Sequence, residues 1–556
     1  MDPSCSRRMK GRPFLAVVLT LALLAFGLGL GGWSLVLRRS PLQLQHQPLA
    51  MPPAARFVPR QAALSLYFAS DGELPVAYAR ALAPPRKRRQ AVEAVEGLRD
   101  AAFAVAGLDY RDELASWLAP GVAFALFDGV ATDPPPAPSA PAASGSALAA
   151  PGGWLLALRS RDADDARRFL QRFWQTRSLA GTGLQVSSYR GMGLISGRGA
   201  LVGRDPVPLA TALVNDDLVL IASGRGVLEQ ALDVSQIDEL NQATLPRLQR
   251  GLDQLGEGVA LLLARPAAFE PWLGLPLPLD PAERPGLLLA SLRPEGSVLQ
   301  LDGLLELSAA PALHPADPAL HRSLLAGLAG QPASLALLQD PAALLAQPLL
   351  APLVRRAIAA EAADSLPALV GAGDAGPMLA ARGEQGWQLG TPSDQPTPER
   401  LEAALAAEGL IAAPLELGER SALVWTRLQA DPRRGRGDSA GGDQLRASLA
   451  GWRSVEGAQA WWGDSLALLE ARPAAGGAAQ RLAQRLEALD RPVAPLRWAL
   501  EPEPARALLL PWRPWRLLTA LAAGGLDQPV QGLALAVEGA SGDDAALRFQ
   551  ARLELG

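Results

Sequence analysis

The stretch from Gly286 to Leu307, GLLLASLRPEGSVLQLDGLLEL, is similar to GLALAVEGASGDDAALRFQARLEL, which runs from Gly532 to Leu555. Each copy places two apolar runs around a segment that contains glycine, a pattern that predicts a long β-hairpin. Asn215 to Asp233 and Gly463 to Asp490 form a second similar pair, and both predict a turn, a strand and then a helix. Such repetition indicates a duplicated structural unit.

Two further pairs support the duplication. The run GWLLALRSRDADDARRFLQRF corresponds to GWQLGTPSDQPTPERLEAALAAEG, and RQAALSLYFAS corresponds to GQPASLALLQD. All four pairs keep the same order, at a separation of about 250 residues except where an insertion intervenes. We therefore predict two divergent tandem halves, residues 56–310 and 311–556. Each half is expected to be α+β, with an antiparallel sheet of hairpins backed by helices.

An apolar segment precedes the two halves. Residues 14–37 contain no charged side chain, and roughly 20 apolar residues are enough to cross a bilayer as a helix. The segment predicts an uncleaved single-pass transmembrane helix, with a cleaved signal peptide as the alternative. The stronger basic cluster lies before it, which predicts a cytoplasmic tail at 1–13 and an exported body. Residues 38–55 are rich in proline and polar residues and predict a stalk.

Composition excludes several classes of function. The chain has a net charge of −4, and its first 39 residues contain six basic residues and one acidic residue, so the remainder carries −9. An acidic body argues against nucleic acid, whose binding depends on neutralising phosphates. Cys5 is the only cysteine, which excludes a disulfide, a thiolate metal site or a cysteine nucleophile in the body. Lysine occurs only twice, and we attribute the excess of arginine to codon bias in a GC-rich genome.

Two segments have the composition of loops. Residues 131–153 are almost entirely Pro, Ala, Gly and Ser, and strand-like runs flank them on both sides. They predict a disordered insertion in a hairpin loop. Residues 431–444 predict a flexible loop. They contain the adhesion-like tripeptide Arg436-Gly437-Asp438, which in a loop so rich in Arg and Gly is interpreted as chance.

Three acids lie within five residues in LDYRDELASWLAPGVAFALFDG, which begins at Leu108. Asp109 suits the N-cap of a helix, and Asp112 and Glu113 fall in the first turn, where the helix dipole favours negative charge. A general acid/base pair is the alternative. Four residues follow helical spacing and are expected to face the core: Tyr110, Leu114, Trp117 and Leu118. We favour a capped helix that leads into a buried strand.

Two other clusters were weighed as sites. His314, Asp317 and His321 lie close together, but intervening prolines break a continuous helix and no second cluster adds ligands, so we interpret them as a linker between the halves. SGRG at Ser223–Gly226 joins a strand to a helix, where a phosphate could bind. We instead expect Ser223 to cap that helix, because no Walker lysine is present.

Tryptophan pairs and one basic run complete the candidates. Trp461 with Trp462, and Trp512 with Trp515, predict either alternate burial or a membrane-facing patch, and burial is favoured. Residues 86–89, RKRR, open a predicted helix and are expected to be a solvated face, with a contact to anionic lipid as the alternative.

The order of these pieces resembles a known family. ARFVPRQAALSLYF is followed by LDYRDELASWLAPGVAFALF, RDADDARRFLQRFWQ, SSYRGMGLIS and ATALVNDDLVLIASGRGVLEQALD. This series is similar to the uncharacterised, membrane-anchored cyanobacterial family called domain of unknown function thirty-three fifty-two. The family pattern has tryptophan-leucine-glycine near Trp117, whereas Ala119 and Pro120 precede Gly121 here, which predicts a shifted strand start. The family has no assigned activity, so the resemblance implies only a periplasmic or thylakoid-lumenal protein of a phototroph.

No catalytic, cofactor-binding or metal-ligating residue is therefore assigned from the sequence, and no cofactor is expected. The expected function is a non-enzymatic, membrane-anchored body at an inner or thylakoid membrane that binds an unknown protein partner or acts as a scaffold. A binding module for a lipidic or apolar ligand is the alternative, and a hydrolase built on carboxylates is the third hypothesis.

Overall fold

The computed structural model describes most of the chain from residue 40 onward. The described residues are 40–127, 153–178, 183–200, 206–275, 277–278, 280, 284–360, 365–373, 376–396, 398–417, 420–430, 445–471, 477–522, 526, 529–539 and 545–556. The predicted tail, the predicted transmembrane helix and the loop predicted at 431–444 lie outside the described residues, as does the insertion predicted at 131–153 except for Gly153.

In the described part of the chain, twenty strands form one sheet in which every pairing is antiparallel. The first ten are β1 (Leu64–Phe68), β2 (Leu118–Leu126), β3 (Trp154–Ser160), β4 (Gln185–Tyr189), β5 (Met192–Ala200), β6 (Pro206–Val214), β7 (Leu218–Ala222), β8 (Ala260–Ala264), β9 (Leu288–Glu295) and β10 (Val298–Glu306). The second ten are β11 (Pro332–Leu338), β12 (Met378–Gly383), β13 (Gly386–Pro392), β14 (Leu410–Leu417), β15 (Arg420–Ala430), β16 (Leu445–Glu456), β17 (Gln459–Gly463), β18 (Leu496–Leu500), β19 (Val530–Gly539) and β20 (Ala546–Leu555).

Strand pairing shows that the two sets have the same topology. Across the sheet the first set has the order β4-β5-β6-β7-β3-β2-β1-β8-β9-β10. The second set continues as β20-β19-β18-β11-β12-β13-β17-β16-β15-β14. Each strand thus has its counterpart at the same distance on the other side of the junction between β10 and β20. The similar sequence stretches therefore correspond to repeated structure.

The junction lies on a pseudo-twofold axis. β10 and β20 pair from Val298 opposite Glu554 to Glu306 opposite Ala546, with Asp302 opposite Gln550 at the centre. Because equivalent strands face each other, the junction has the geometry of a twofold dimer interface built within one chain. We call this axis the pseudo-dyad.

The two faces of the sheet differ. One face carries a single core that extends through both sets of strands and contains Leu158 and Leu547, and we call it the continuous face. The opposite face carries two separate cores, one around Leu220 in the first set and one around Trp461 in the second, and we call it the divided face. Central strands such as β7 and β18 are buried along their whole length, and the sequence of β7, LVLIA, is accordingly apolar throughout.

Helices cover both faces. They are α1 (Leu74–Leu82), α2 (Arg88–Val105), α3 (Ala163–Ser178), α4 (Arg225–Val234), α5 (Pro246–Leu255), α6 (Pro318–Ala326), α7 (Pro341–Ala346), α8 (Ala351–Ala357), α9 (Leu366–Gly373), α10 (Pro398–Ala407), α11 (Leu466–Glu470), α12 (Gly477–Glu487), α13 (Pro502–Leu509) and α14 (Arg513–Leu521). The helices α3, α7 to α10, α13 and α14 contribute side chains to the core of the continuous face. The helices α4 and α5 cover the first core of the divided face, and α6, α11 and α12 cover the second.

The predicted fold class was wrong, although its α+β content is correct. Two separate sheets behind a transmembrane helix were expected, whereas one 20-stranded sheet is found. Pairing β10 with β20 satisfies two sheet edges that would otherwise expose unpaired backbone groups. Within the described residues no helix has the length and apolar character needed to cross a membrane.

Part of the segment predicted as a stalk packs onto the body. Pro41–His46 and Pro53–Phe57 form two short 3₁₀ helices, in which Leu44 and Ala55 are buried. Pro48 also pairs with Glu257 as an isolated bridge. Apolar residues interspersed among the prolines account for this docking, because burial of their side chains removes apolar surface from water.

Candidate functional site

Two of the three acids after Leu108, Asp109 and Glu113, have partners for their side chains. The Asp109 side chain accepts from the backbone N–H of Asp112 at 2.9 Å, and Glu113 accepts from the N–H of Asp109 at 3.0 Å. The capping interpretation is therefore confirmed, although the element is one π-helical turn, Tyr110–Leu114, and not an α-helix. The four residues expected to face the core are all buried: Tyr110, Leu114, Trp117 and Leu118.

The strand after this turn begins at Leu118, a residue that the helical spacing assigned to the preceding helix. β2 begins at Leu118, and its register with β3 shifts between Leu118 and Val122, where Gly121 has a φ of +106°. A β-bulge of this kind favours glycine because a side chain is strained at positive φ. The departure from the family pattern at Ala119 and Pro120 thus coincides with an irregularity in the strand.

The two clustered histidines do not converge. His314 is exposed, with Nδ1 3.7 Å from Asp340, and Asp317 caps α6 by accepting from the N–H of Ala319 at 2.8 Å. His321 is 1% exposed. Its Nε2 lies 3.2 Å from the carbonyl oxygen of Leu338, and its Nδ1 lies 3.2 Å from an Arg497 guanidinium nitrogen. Among the described residues no group of three or more His, Cys, Asp or Glu could hold a metal.

His321 makes stability depend on pH. Burial, and secondarily the charge of Arg497, lower its pKa from 6.5 to about 4. The native state therefore keeps the ring neutral where the unfolded chain protonates it, so stability is complete above pH 6.5 and falls as the pH decreases toward 4. We expect a loss of about 2 kcal/mol between pH 7.5 and pH 5, at 1.36 kcal/mol per pH unit below 6.5. Urea unfolding at both pH values measures it.

The matched variant for this prediction is His321→Gln. It lacks the titrating ring, so the pH-dependent loss should shrink by most of that amount, even if the variant is less stable at pH 7.5. An equal loss in both proteins would assign the pH dependence to other groups.

One interpretation from the sequence needs correction. Ser223 does not cap α4: its hydroxyl accepts from the N–H of Trp154 at 2.8 Å, and Gly224, at a φ of 144°, occupies the N-cap. The serine therefore fastens the start of β3 to the loop before α4.

The environments of the tryptophans and of the basic run agree only in part with those predicted from the sequence. Trp461 and Trp462 are both fully buried, on opposite faces of β17, so their alternate burial is confirmed. Trp515 is buried, whereas Trp512 is 37% exposed. Residues 86–89 are all exposed at the start of α2, as predicted for a solvated face.

Polar side chains cross the divided face at the pseudo-dyad. The Gln550 amide donates to Asp302 at 3.0 Å, and Gln300 donates to the other oxygen of Asp302 at 2.6 Å. Arg552 donates to Gln300 at 2.8 Å and pairs with Glu295 at 2.8 Å. This polar strip separates the two cores of the divided face, which explains why that face lacks a continuous core.

A cavity of about 710 Å³ opens at one end of this strip. We call it the dyad cleft. Buried apolar side chains of β9, β10, β20 and the residue before β9 form its floor: Leu287, Leu289, Leu304 and Ala546. The chain between the halves supplies one wall, through Pro311, Leu313 and Pro315. This wall is fixed because Ala316 donates its N–H to the carbonyl of Val493 at 2.8 Å. The volume lies within the range of small-molecule sites.

The cleft has an excess of positive charge. Four arginines line it together with two glutamates: Arg247, Arg250, Arg284, Arg548, Glu306 and Glu538. Both glutamates are already paired, Glu306 with Arg247 and Glu538 with Arg491, and Arg491 is not part of the lining. Among the described residues no hydrogen bond or ion pair engages the side chain of Arg548. The cleft therefore offers a guanidinium to an anion beside an apolar floor.

The second half does not repeat this cleft. The pseudo-dyad relates Glu306 to Glu554, and Glu554 accepts from Arg485 of α12 at 3.0 Å, as Glu306 pairs with Arg247 of α5. At the position equivalent to Arg548, β10 has Gln300, which bonds to Asp302. The cleft thus depends on residues at which the two halves have diverged, together with the connecting chain that walls it.

The sequence reasoning missed the arginines of the cleft. Arg548 lies more than 200 residues from the other three in the chain, and a general excess of arginine concealed them. The available signal was the comparison of the two hairpins, in which Arg548 replaces the neutral Gln300 of an otherwise similar strand.

Comparisons with known proteins identify a family and little more. The family model described as "Protein of unknown function (DUF3352)" matches residues 18–338. No curated protein matches the chain. Two similar solved structures are crystal forms IV and III of TP0453, both at 11% identity. They cover 46% and 51% of this chain and 80% and 89% of the other, with TM-scores of 0.25 and 0.26.

Proposed function

Because the chain belongs to DUF3352, a family of unknown function, we propose a function from its own residues. The body is a non-enzymatic binding module, and the dyad cleft is its ligand site. The observation that carries this proposal is the guanidinium of Arg548, which no hydrogen bond or ion pair of the described residues engages, beside an apolar floor in a cavity of ligand size.

The chemistry of the cleft defines the ligand class. A long-chain carboxylate fits it, with the carboxylate on Arg548 and the chain along Leu287 and Leu304. Guanidinium and carboxylate form charge-assisted, often bidentate hydrogen bonds. Burial of the ligand's hydrocarbon chain against the apolar floor stabilises the complex. This is the lipidic alternative from the sequence analysis, now with an anionic head group.

A binding role is favoured over hydrolysis. Glu306 and Glu538 already form ion pairs, with Arg247 and Arg491, so neither carboxylate is left to face a substrate in the cleft. The acids Asp109 and Glu113 adjoin side chains of the continuous face, whereas the cleft opens on the divided face. The structure therefore does not bring the acids of the two regions together.

The test measures binding of 11-(dansylamino)undecanoic acid to the full chain by fluorescence. We expect saturable binding that weakens about tenfold or more in Arg548→Gln, because a charge-assisted hydrogen bond contributes about 1.5 kcal/mol or more. The corresponding methyl ester should bind more weakly to the unmodified protein and be insensitive to the substitution.

Arg552→Gln is the matched control. It removes the same charge from the same face of β20, four residues further along, but it lies outside the cleft. Binding in this variant should stay within about twofold of the unmodified protein. Equal weakening in both variants, or no saturable binding of the probe, would refute the cleft as the site.

A protein partner is the second candidate function, and one surface favours it. The outer strands β14, β15 and β16 present exposed apolar side chains on one face: Ile411, Leu428 and Leu449. The test is crosslinking from position 449 in the native membrane. It compares the unmodified protein with Leu428→Asp, which places a charge in the exposed apolar surface. Crosslinks that persist in the variant would argue against this surface. Location at an inner or thylakoid membrane stays a prediction.

A further inference from the structure

The segment around α14 exposes an unusual combination of side chains. Four large apolar residues there are 60%, 37%, 38% and 40% exposed, namely Leu510, Trp512, Leu517 and Leu518. Arg513 and Arg516 are exposed among them. We call these six residues the α14 patch. Single exposed leucines are common on protein surfaces, but several large apolar side chains exposed together indicate an interaction site.

The patch is held in place by its neighbours. Trp515 is 5% exposed and belongs to the core of the continuous face, so it fixes α14 on the body. The indole N–H of Trp512 donates to the carbonyl of Leu273 at 3.0 Å, which ties the patch to the first half. Leu517 and Leu518 therefore project from a supported helix.

The charge of the patch contrasts with that of the body. No acidic residue occurs between Glu503 and Asp527, whereas the chain after residue 39 carries a net charge of −9. The helix α2, which packs against α14, begins in the exposed basic run at 86–89. A second exposed basic run thus begins a helix that packs against α14.

We propose that the α14 patch docks onto an anionic lipid surface. Tryptophan favours the boundary between head groups and acyl chains, leucine favours the acyl chains, and arginine reaches back to lipid phosphates. Tryptophan and arginine are enriched in protein interfaces as well, and quenching by brominated lipid distinguishes a bilayer from a protein partner. Basic residues near the bilayer add attraction to anionic lipid that falls with salt.

The patch and the dyad cleft lie on opposite faces of the sheet. The core that α14 joins is on the continuous face, and the cleft opens on the divided face. A body docked through α14 therefore keeps the cleft open to the aqueous phase. The lipid contact does not depend on the function proposed for the cleft.

The test places a fluorophore in the patch of the full chain. In a Cys5→Ser background, Leu517→Cys is labelled with NBD and mixed with vesicles of 70% phosphatidylcholine and 30% phosphatidylglycerol, with or without brominated acyl chains. We expect a blue shift and quenching by the brominated lipid. The readout reports the patch itself, whichever other part of the chain touches the vesicle.

Leu449→Cys is the matched control, because Leu449 has the same 38% exposure but lies on the divided face. Its label should show neither change. Arg513→Gln with Arg516→Gln, or vesicles of phosphatidylcholine alone, should reduce the quenching at position 517 severalfold. Absent quenching at 517, equal quenching at 449, or equal quenching on neutral vesicles would each overturn the proposal.

Discussion

Replacing Trp462 with alanine should destabilise the body by about 4 kcal/mol, the scale for deleting a fully buried large aromatic side chain. Trp462 is fully buried in the core of the continuous face. It stacks on Trp425 with ring centroids 5.6 Å apart, and its indole N–H donates to the Thr391 hydroxyl at 3.2 Å. The truncation therefore leaves a cavity and an unpaired hydroxyl in a buried site.

Trp512→Ala is the matched control for this measurement. It is the same substitution at a residue that is 37% exposed, so its cost should be less than half as large. Urea unfolding followed by far-ultraviolet circular dichroism compares the two variants with the unmodified chain. Similar losses in both would show that burial in the continuous face is not what makes Trp462 important.

Prediction from the sequence succeeded where local periodicity decides the outcome. Successive residues of a strand point to opposite faces, so adjacent tryptophans in β17 enter different cores. The Asp109 cap follows from local chemistry as well, because a side chain that accepts from amides two or three residues on needs no tertiary context. The hairpins of the repeat follow from apolar runs around a turn.

Prediction failed where distant parts of the chain meet. The sequences of the hairpins do not predict that β10 and β20 pair with each other. An antiparallel edge strand can pair with another strand or stay at the edge of a sheet. The cap assigned to Ser223 failed because the backbone N–H of Trp154, almost 70 residues earlier, competes for the same hydroxyl. The dyad cleft was missed for the same reason, because its arginines come from α5, a loop and β20 and meet only in the folded chain.

Gly303→Ala should destabilise the protein by about 2 to 3 kcal/mol through the junction of the two halves. Gly303 lies in β10 directly opposite Phe549 of β20. A Cβ at this position would lie 2.0 Å from the Phe549 ring, which packs against the core of the continuous face. The ring must therefore leave its place, and overpacking of this kind costs about 1 to 3 kcal/mol.

Gly193→Ala in β5 is the matched control. No atom lies within 4 Å of its added Cβ, so the change should be neutral or slightly stabilising through the lower entropy of the unfolded chain. Urea unfolding gives both costs, and hydrogen exchange should show faster opening of β10 and β20 only in Gly303→Ala.

Adding Phe549→Ala should cost less in the Gly303→Ala background than in the unmodified protein, because the two residues compete for one volume. A cost for Gly303→Ala as small as that of the control would mean that the junction between β10 and β20 does not depend on the Phe549 ring lying over Gly303.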